Sequence, residues 1–152
     1  MKTNSFSGVS LFLFSCFFTA TLFATLGESE NSIEKERLSL SEPTVQRETY
    51  DTYTVHQLKG KDLTIREYSI PEGKIFAISW FGGVANLKTL LVGYFDEYEE
   101  ARNRAPKLKG SRRLLVRSKS LIVEHAGSIR NLRGRAYLPE LLPKGFHESI
   151  IR

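Results

Sequence analysis

From Tyr53 to Trp80 the chain alternates polar and apolar positions with a period of two, the signature of half-buried strands. In "YTVHQL" the residues Tyr53, Val55 and Gln57 share one face and Thr54, His56 and Leu58 the other. The turn "KGKD" leads into "LTIREYSI", with Leu63 and Ile65 on one face and Thr64, Arg66 and Tyr68 on the opposite one. Ile70-Pro71-Glu72-Gly73 is a β-turn sequence, because proline presets φ at the second position and glycine tolerates the fourth. The next segment, Lys74 to Trp80, is apolar on both faces, Ile75 and Ala77 on one and Phe76, Ile78 and Trp80 on the other. Burial on two sides predicts a central strand. The three segments together predict an antiparallel meander.

After Gly82-Gly83 the period lengthens. Asn86 is a helix-capping residue, and Leu87, Leu90, Leu91, Tyr94, Phe95 and Tyr98 recur at spacings of three and four. This stripe predicts one long amphipathic helix, closed by Pro106 and supported by Glu100 and Arg104 four residues apart. Strand patterns return in "RRLLVRS", "SLIVEHA" and "SIRNLRGRAYL", with hairpin turns expected at Ser118-Lys119-Ser120 and at Ala126-Gly127. Upstream, Glu28 to Leu40 suggests a short amphipathic helix, and the polar stretch Ser41 to Asp51 reads as a connector. The expected fold is α+β: a mostly antiparallel sheet made of a three-stranded meander, the long helix, then two or three strands, with the helix packed on one face. Residues 25–52 form the N-terminal helix and connector, 53–146 a single α+β domain and 147–152 a C-terminal tail.

The start of the chain has the three-part layout of a secretory signal peptide: Met1-Lys2, the apolar core "LFLFSCFFTATLFA", then Ala20, Ala24 and Gly27 before "ESENSIEKER". Residues 1–24 are read as that leader, cut after Ala24, although Leu22 is bulky for the third position before the bond. The alternatives are an uncleaved membrane anchor and a lipoprotein cut before Cys16. With the leader gone, the mature chain loses Cys16, its only cysteine, and with it any disulfide, thiol nucleophile or thiolate ligand. No membrane span then remains.

The net charge of +5 is unevenly spread. Glu28 to Ala101 carries 8 basic and 14 acidic residues, whereas Arg102 to Arg152 carries 13 basic and 3 acidic ones. A basic half suggests an anionic partner, unless the two halves neutralise one another. Within it "RNLRGRAYLP" is the most suggestive stretch. Arg130, Arg133, Arg135 and Tyr137 combine positive charge with an aromatic ring, and Arg133 and Arg135 share a strand face. No nucleic-acid fold signature accompanies them, so specific DNA or RNA recognition is not expected.

Catalytic and cofactor motifs are missing: there is no phosphate loop, nucleophile elbow, calcium loop or zinc-spaced histidine pair. No cofactor, metal or catalytic residue is therefore assigned. Of the three histidines, His56, His125 and His147, the first two sit mid-strand with no ligand candidate beside them; a site such as His56 with Glu67 or Glu124 and a serine, or one built from His56, Glu67 or Arg66, would have to be assembled by the fold. Arg66 and Glu67 read more simply as cross-strand pairs on a solvent face, and Trp80 as core.

The motifs "YTVHQL", "TIREYSIPEGKIFAISWFG", "LLVGYFDEY" and "GRAYLPELLPKGF" together resemble a family of small secreted bacterial proteins catalogued as domain of unknown function 2844. The resemblance runs from about Leu26 to Phe146, and Leu26-Gly27 is similar to the family's mature start. Members typically carry Gly-Pro where this chain has Gly82-Gly83. The resemblance implies an exported protein of a Gram-negative bacterium, periplasmic or secreted, and brings no mechanism. The expectation is a non-catalytic binding or accessory protein of the cell envelope, its partner an anionic envelope component or another exported protein. The alternatives are a small hydrolase-like enzyme with a site around His56, and a structural or assembly factor. Convergence of Arg112, Arg113, Arg130, Arg133 and Arg135 on one face is the feature that separates them.

Overall fold

The computed structural model describes residues 26–27, 44–106, 112–128 and 131–152. Seven strands form one antiparallel sheet: β1 (Thr44–Thr49), β2 (Thr54–Lys59), β3 (Leu63–Ser69), β4 (Ile75–Gly82), β5 (Arg113–Arg117), β6 (Ile122–Ser128) and β7 (Asn131–Tyr137). Their spatial order is β1-β2-β3-β4-β7-β6-β5, which puts β4 at the centre. Its side chains from Ile75 to Trp80 are all buried. The meander, the central strand and the antiparallel sheet are as the alternation predicts. Ile70 O accepts from Gly73 N at 2.8 Å, and Gly73 has φ +79, so the Pro71–Gly73 turn also forms as expected.

Four features depart from the pattern. The stretch read as a connector contributes β1. Every side chain of "TVQRET" is exposed, so no hydrophobic period marks the strand, and its pairing with β2 is a backbone matter. The expected long helix is broken into α1 (Leu87–Leu90), a 3-10 turn (Val92–Tyr94) and α2 (Phe95–Arg104). Leu90 O accepts from Leu26 N at 3.2 Å, and Tyr94 N bonds back to Leu91 O at 2.7 Å. A β-branched valine and a glycine at 92–93 make the break cheap. Asn86 does cap α1, its side chain accepting from Thr89 N at 3.4 Å, and Ala105 is extended ahead of Pro106 as proline requires.

The phase of β4 also differs. The register with β3 shifts between Tyr68 and Ser69, so Ala77 faces Tyr68, Ile75 faces Ser69, and Phe76 is the extra, bulged residue. Ile75, Ile78 and Trp80 therefore join one core cluster, and Phe76 and Ala77 the other. Finally, Ala126 and Gly127 are not a turn: β6 runs through them to Ser128. Gly127 has φ +119, and a Cβ there would strike Asn131 O across the ladder, so this glycine serves a close backbone approach.

The helices cover one face of the sheet. Leu90, Leu91, Tyr98 and Ala101 pack with Leu58, Ile65, Ile78, Trp80, Val123 and Ala136, and Leu26 is part of the same core. On the opposite face the C-terminal segment after Pro139 lies across one end, where Phe146 and Ile151 pack on Tyr68, Phe76 and Tyr137. The other end of that face is open. The predicted helix at 28–40 lies outside the described residues, as do residues 1–24. No described helix is long and apolar enough to cross a membrane.

Candidate functional site

Strand register decides which side chains meet on the open face. Gln57, Arg66, Ser79, Arg135 and Glu124 are direct partners across β2, β3, β4, β7 and β6. Two residues along, Lys59, Thr64, Phe81, Arg133, Ala126 and Arg113 make a parallel row. Together they line a concave hollow of about 740 Å³, bounded by Ser149, Ile151 and Arg152 of the C-terminal segment. Six basic side chains, Lys59, Arg66, Arg113, Arg133, Arg135 and Arg152, face a single acidic side chain, Glu124. A concave surface lined by one sign of charge concentrates the field and raises the local concentration of counter-ions.

Half of the cations are held in place. Arg135 Nη2 donates to Glu124 Oε2 at 3.1 Å, and Arg113 Nη2 lies 3.5 Å from the same oxygen. Arg135 also donates to Glu148 O, and Arg66 Nε to Gln57 Oε1 at 2.8 Å. A second Arg66 nitrogen donates to the main-chain oxygen of Arg152. Lys59 and Arg133 make no ion pair among the described residues, and Phe81 exposes its ring beside them. The described ion pairs of the basic half therefore run to Glu124 within that half, apart from Arg104 with Glu100 on α2. Tyr98 and Ala101 of α2 pack into the core on the other side of the sheet.

Of the residues singled out from the sequence, Arg133 and Arg135 do share a face, and Arg113 joins them. Arg112 is exposed but does not line the hollow, and Arg130 lies outside the described residues. Tyr137 is not a surface ring. It is buried beneath the C-terminal segment with its hydroxyl donating to Glu148, and burial together with that bond pushes its pKa to about 12. Lys59, Arg66 and Arg152 were not part of the expected patch. Only the pairing of β4 with β7 brings the first two beside Arg133 and Arg135.

The proposed His56 site takes a different form. His56 and Glu67 are direct cross-strand partners, but on the helix-covered face, and both are buried, Glu67 completely. Glu67 is thus not on a solvent face, and its neighbour Arg66 points the other way. Neither His56 nor Glu67 lines the hollow. His125 is packed against Trp80, edge to face at 6.0 Å, and its Nε2 lies 3.2 Å from Tyr98 Oη. No group of three or more metal-binding side chains occurs among the described residues.

A smaller hollow of about 230 Å³ adjoins the first, since Gln57, Arg66 and Arg152 line both. Its remaining walls are Gln46, Glu48, Tyr50, Tyr53, Val55, Tyr68 and Ile150. Tyr50 stacks on Tyr53 with centroids 4.6 Å apart, and its hydroxyl donates to Glu48 Oε2 at 2.8 Å. That bond and the neighbouring negative charge raise the Tyr50 pKa.

The family model described as "Protein of unknown function (DUF2844)" matches residues 22–151. The chain belongs to that family. No curated protein and no solved structure matches it. In this DUF2844 member the Gly82-Gly83 step has a structural use: Gly83 N donates to Asp62 O at 2.7 Å, a bond that a proline there cannot make.

Proposed function

We propose that this DUF2844 protein is exported and, once its leader is cut after Ala24, acts as a non-catalytic binding protein that holds an anionic component of the cell envelope. The observation that carries the reading is the concave face on which six basic side chains meet one acidic side chain. Ionic attraction of this kind acts at long range, is not specific to one anion and weakens with salt. The burial of Leu26 supports a cut just upstream, because Leu26 belongs to the folded core.

The test is a binding screen of the mature protein against lipopolysaccharide, acidic glycans and DNA across a range of salt. The expected result is binding to at least one polyanion that weakens steadily with added salt. Arg133→Glu should weaken it further without changing the melting temperature. Absence of salt-sensitive binding to all three classes overturns the reading.

A further inference from the structure

We infer that the anion is a glycan in which neutral and acidic rings alternate, bound along both hollows, with a sugar ring stacked on Tyr50. The inference rests on the proposed binding role of the basic face and names its ligand class. The two hollows adjoin along Gln57, Arg66 and Arg152, and together they make one trough across the open face, crossed by the bonds of Arg66 to the other two. Seven strands give it a width of up to six spacings, about 29 Å, which suits an oligosaccharide rather than a single ring.

The trough is graded in charge. At the β5–β6–β7 end the charged lining is Arg113, Arg133 and Arg135, gathered round Glu124. At the β1–β2 end Tyr50, Tyr53, Gln46 and Glu48 add aromatic, amide and acidic groups beside Arg66 and Arg152. Tyr50 is 47% exposed, and its ring is fixed on one side by the stack on Tyr53 and at its tip by Glu48. A planar ring held this way is a preorganised platform that loses little entropy on binding. The apolar C–H face of a pyranose packs on such a ring, while its hydroxyls bond to side-chain amides and carboxylates. Gln57 Nε2 already donates to Gln46 Oε1 at 3.3 Å, leaving the other N–H and lone pairs of that amide pair for a ligand.

The gradient discriminates between polyanions. A nucleic acid would also stack a ring on Tyr50, but it carries a phosphate at every residue, and the phosphate nearest that ring would meet Glu48. Inorganic polyphosphate has charge and no ring. A glycan that alternates neutral and uronate rings satisfies both ends.

The experiment measures affinities of the mature protein for a hyaluronan hexasaccharide, cellohexaose, oligothymidylate and polyphosphate at fixed low salt. Hyaluronan should bind most tightly. Tyr50→Ala should weaken it about tenfold, about 1.4 kcal/mol, while leaving polyphosphate unchanged. Tyr50→Phe should retain binding, and Arg133→Glu should weaken both anions. If oligothymidylate or polyphosphate binds more tightly than hyaluronan, or Tyr50→Ala has no effect on hyaluronan, the glycan inference falls and the basic face stands. If no anion binds, both fall.

Discussion

The indole of Trp80 lies over the backbone of Gly134, in the space that a Cβ on any other residue would occupy. The two are register partners on β4 and β7. A Cβ built on Gly134 would overlap Trp80 Cζ2 and Cε2 and would also crowd Glu124 O. The edge of the same indole meets His125, so the glycine lets one large ring bridge three strands of the helix-covered core. Gly134→Ala should therefore destabilise the protein by about 1–3 kcal/mol, the usual cost of forcing atoms into a packed core. Denaturant unfolding followed by the fluorescence of Trp80, the only tryptophan, measures this directly.

His125 sits in that same cluster, and burial, followed by the charge of Arg102, lowers its pKa from 6.5. Tyr98 from α2 and Trp80 from β4 are the groups packed against it. Because the folded pKa is depressed, the unfolded chain binds the proton first as pH falls. Stability should decline as pH drops below about 6.5 and level off below the folded pKa. Comparing unfolding of the native protein and His125→Gln at pH values on either side isolates the effect: the slope should be smaller in the variant. Equal slopes would show that His125 is not the titrating group.

How far such relationships can be read from sequence depends on whether the partner is local. The β2–β4 meander and its Pro71–Gly73 turn follow from alternation and turn chemistry within thirty residues, and they form as expected. Strand β1 escapes because nothing on it is buried, so the hydrophobic period has nothing to report. The phase of Phe76 escapes because a bulge opposite Tyr68 inserts a residue that simple alternation does not allow for. Arg133 and Arg135 were visible as a pair, since strand geometry alone puts residues two apart on one face. Their union with Arg66 and Lys59 depends on β4 meeting β7, with α1, α2, β5 and β6 intervening in the chain. Tyr137 looked like a binding ring because no local signal says that Glu148 and Ile151 fold back over it.

One link between helix and sheet rests on a single carboxylate. Glu97, in the first turn of α2, accepts from Ser120 N at 3.1 Å and from Ser120 Oγ at 2.6 Å. The hydroxyl bond is the main cause of its lowered pKa, outweighing its partial burial. A carboxylate at a helix N-terminus also complements the helix dipole. Ser120→Ala should cost about 1 kcal/mol at neutral pH, a partly exposed hydrogen bond to a charged group being weaker than a buried one. A depressed carboxylate pKa stabilises above the unfolded value and loses that contribution as pH falls. The cost of Ser120→Ala should thus shrink below pH 4.5, and thermal melts of both proteins along a pH series would check this.

Leu26 and Gly27 act as an anchor. Leu26 is 1% exposed within the helix-side core, and its N–H donates to Leu90 O at the end of α1. Gly27 N donates to Ile75 O at 2.8 Å, and Gly27 has φ +86 with the Tyr94 ring directly against it, so only glycine fits there without displacement. The pair thereby ties the chain to the first residue of the central strand and to the break between the helices. Leu26→Ala in the mature protein should cost about 2–5 kcal/mol, as expected for emptying a buried leucine site. A shortened protein beginning at Glu28 loses both hydrogen bonds and the leucine, and should be less stable still. The same geometry constrains processing. A cut after Ala24 leaves the anchor intact, whereas a cut after Gly27 removes it. If the chain is exported as proposed, intact-mass measurement should find Thr25 at its amino terminus; a mature chain that starts beyond Leu26 would mean that the core closes without this anchor.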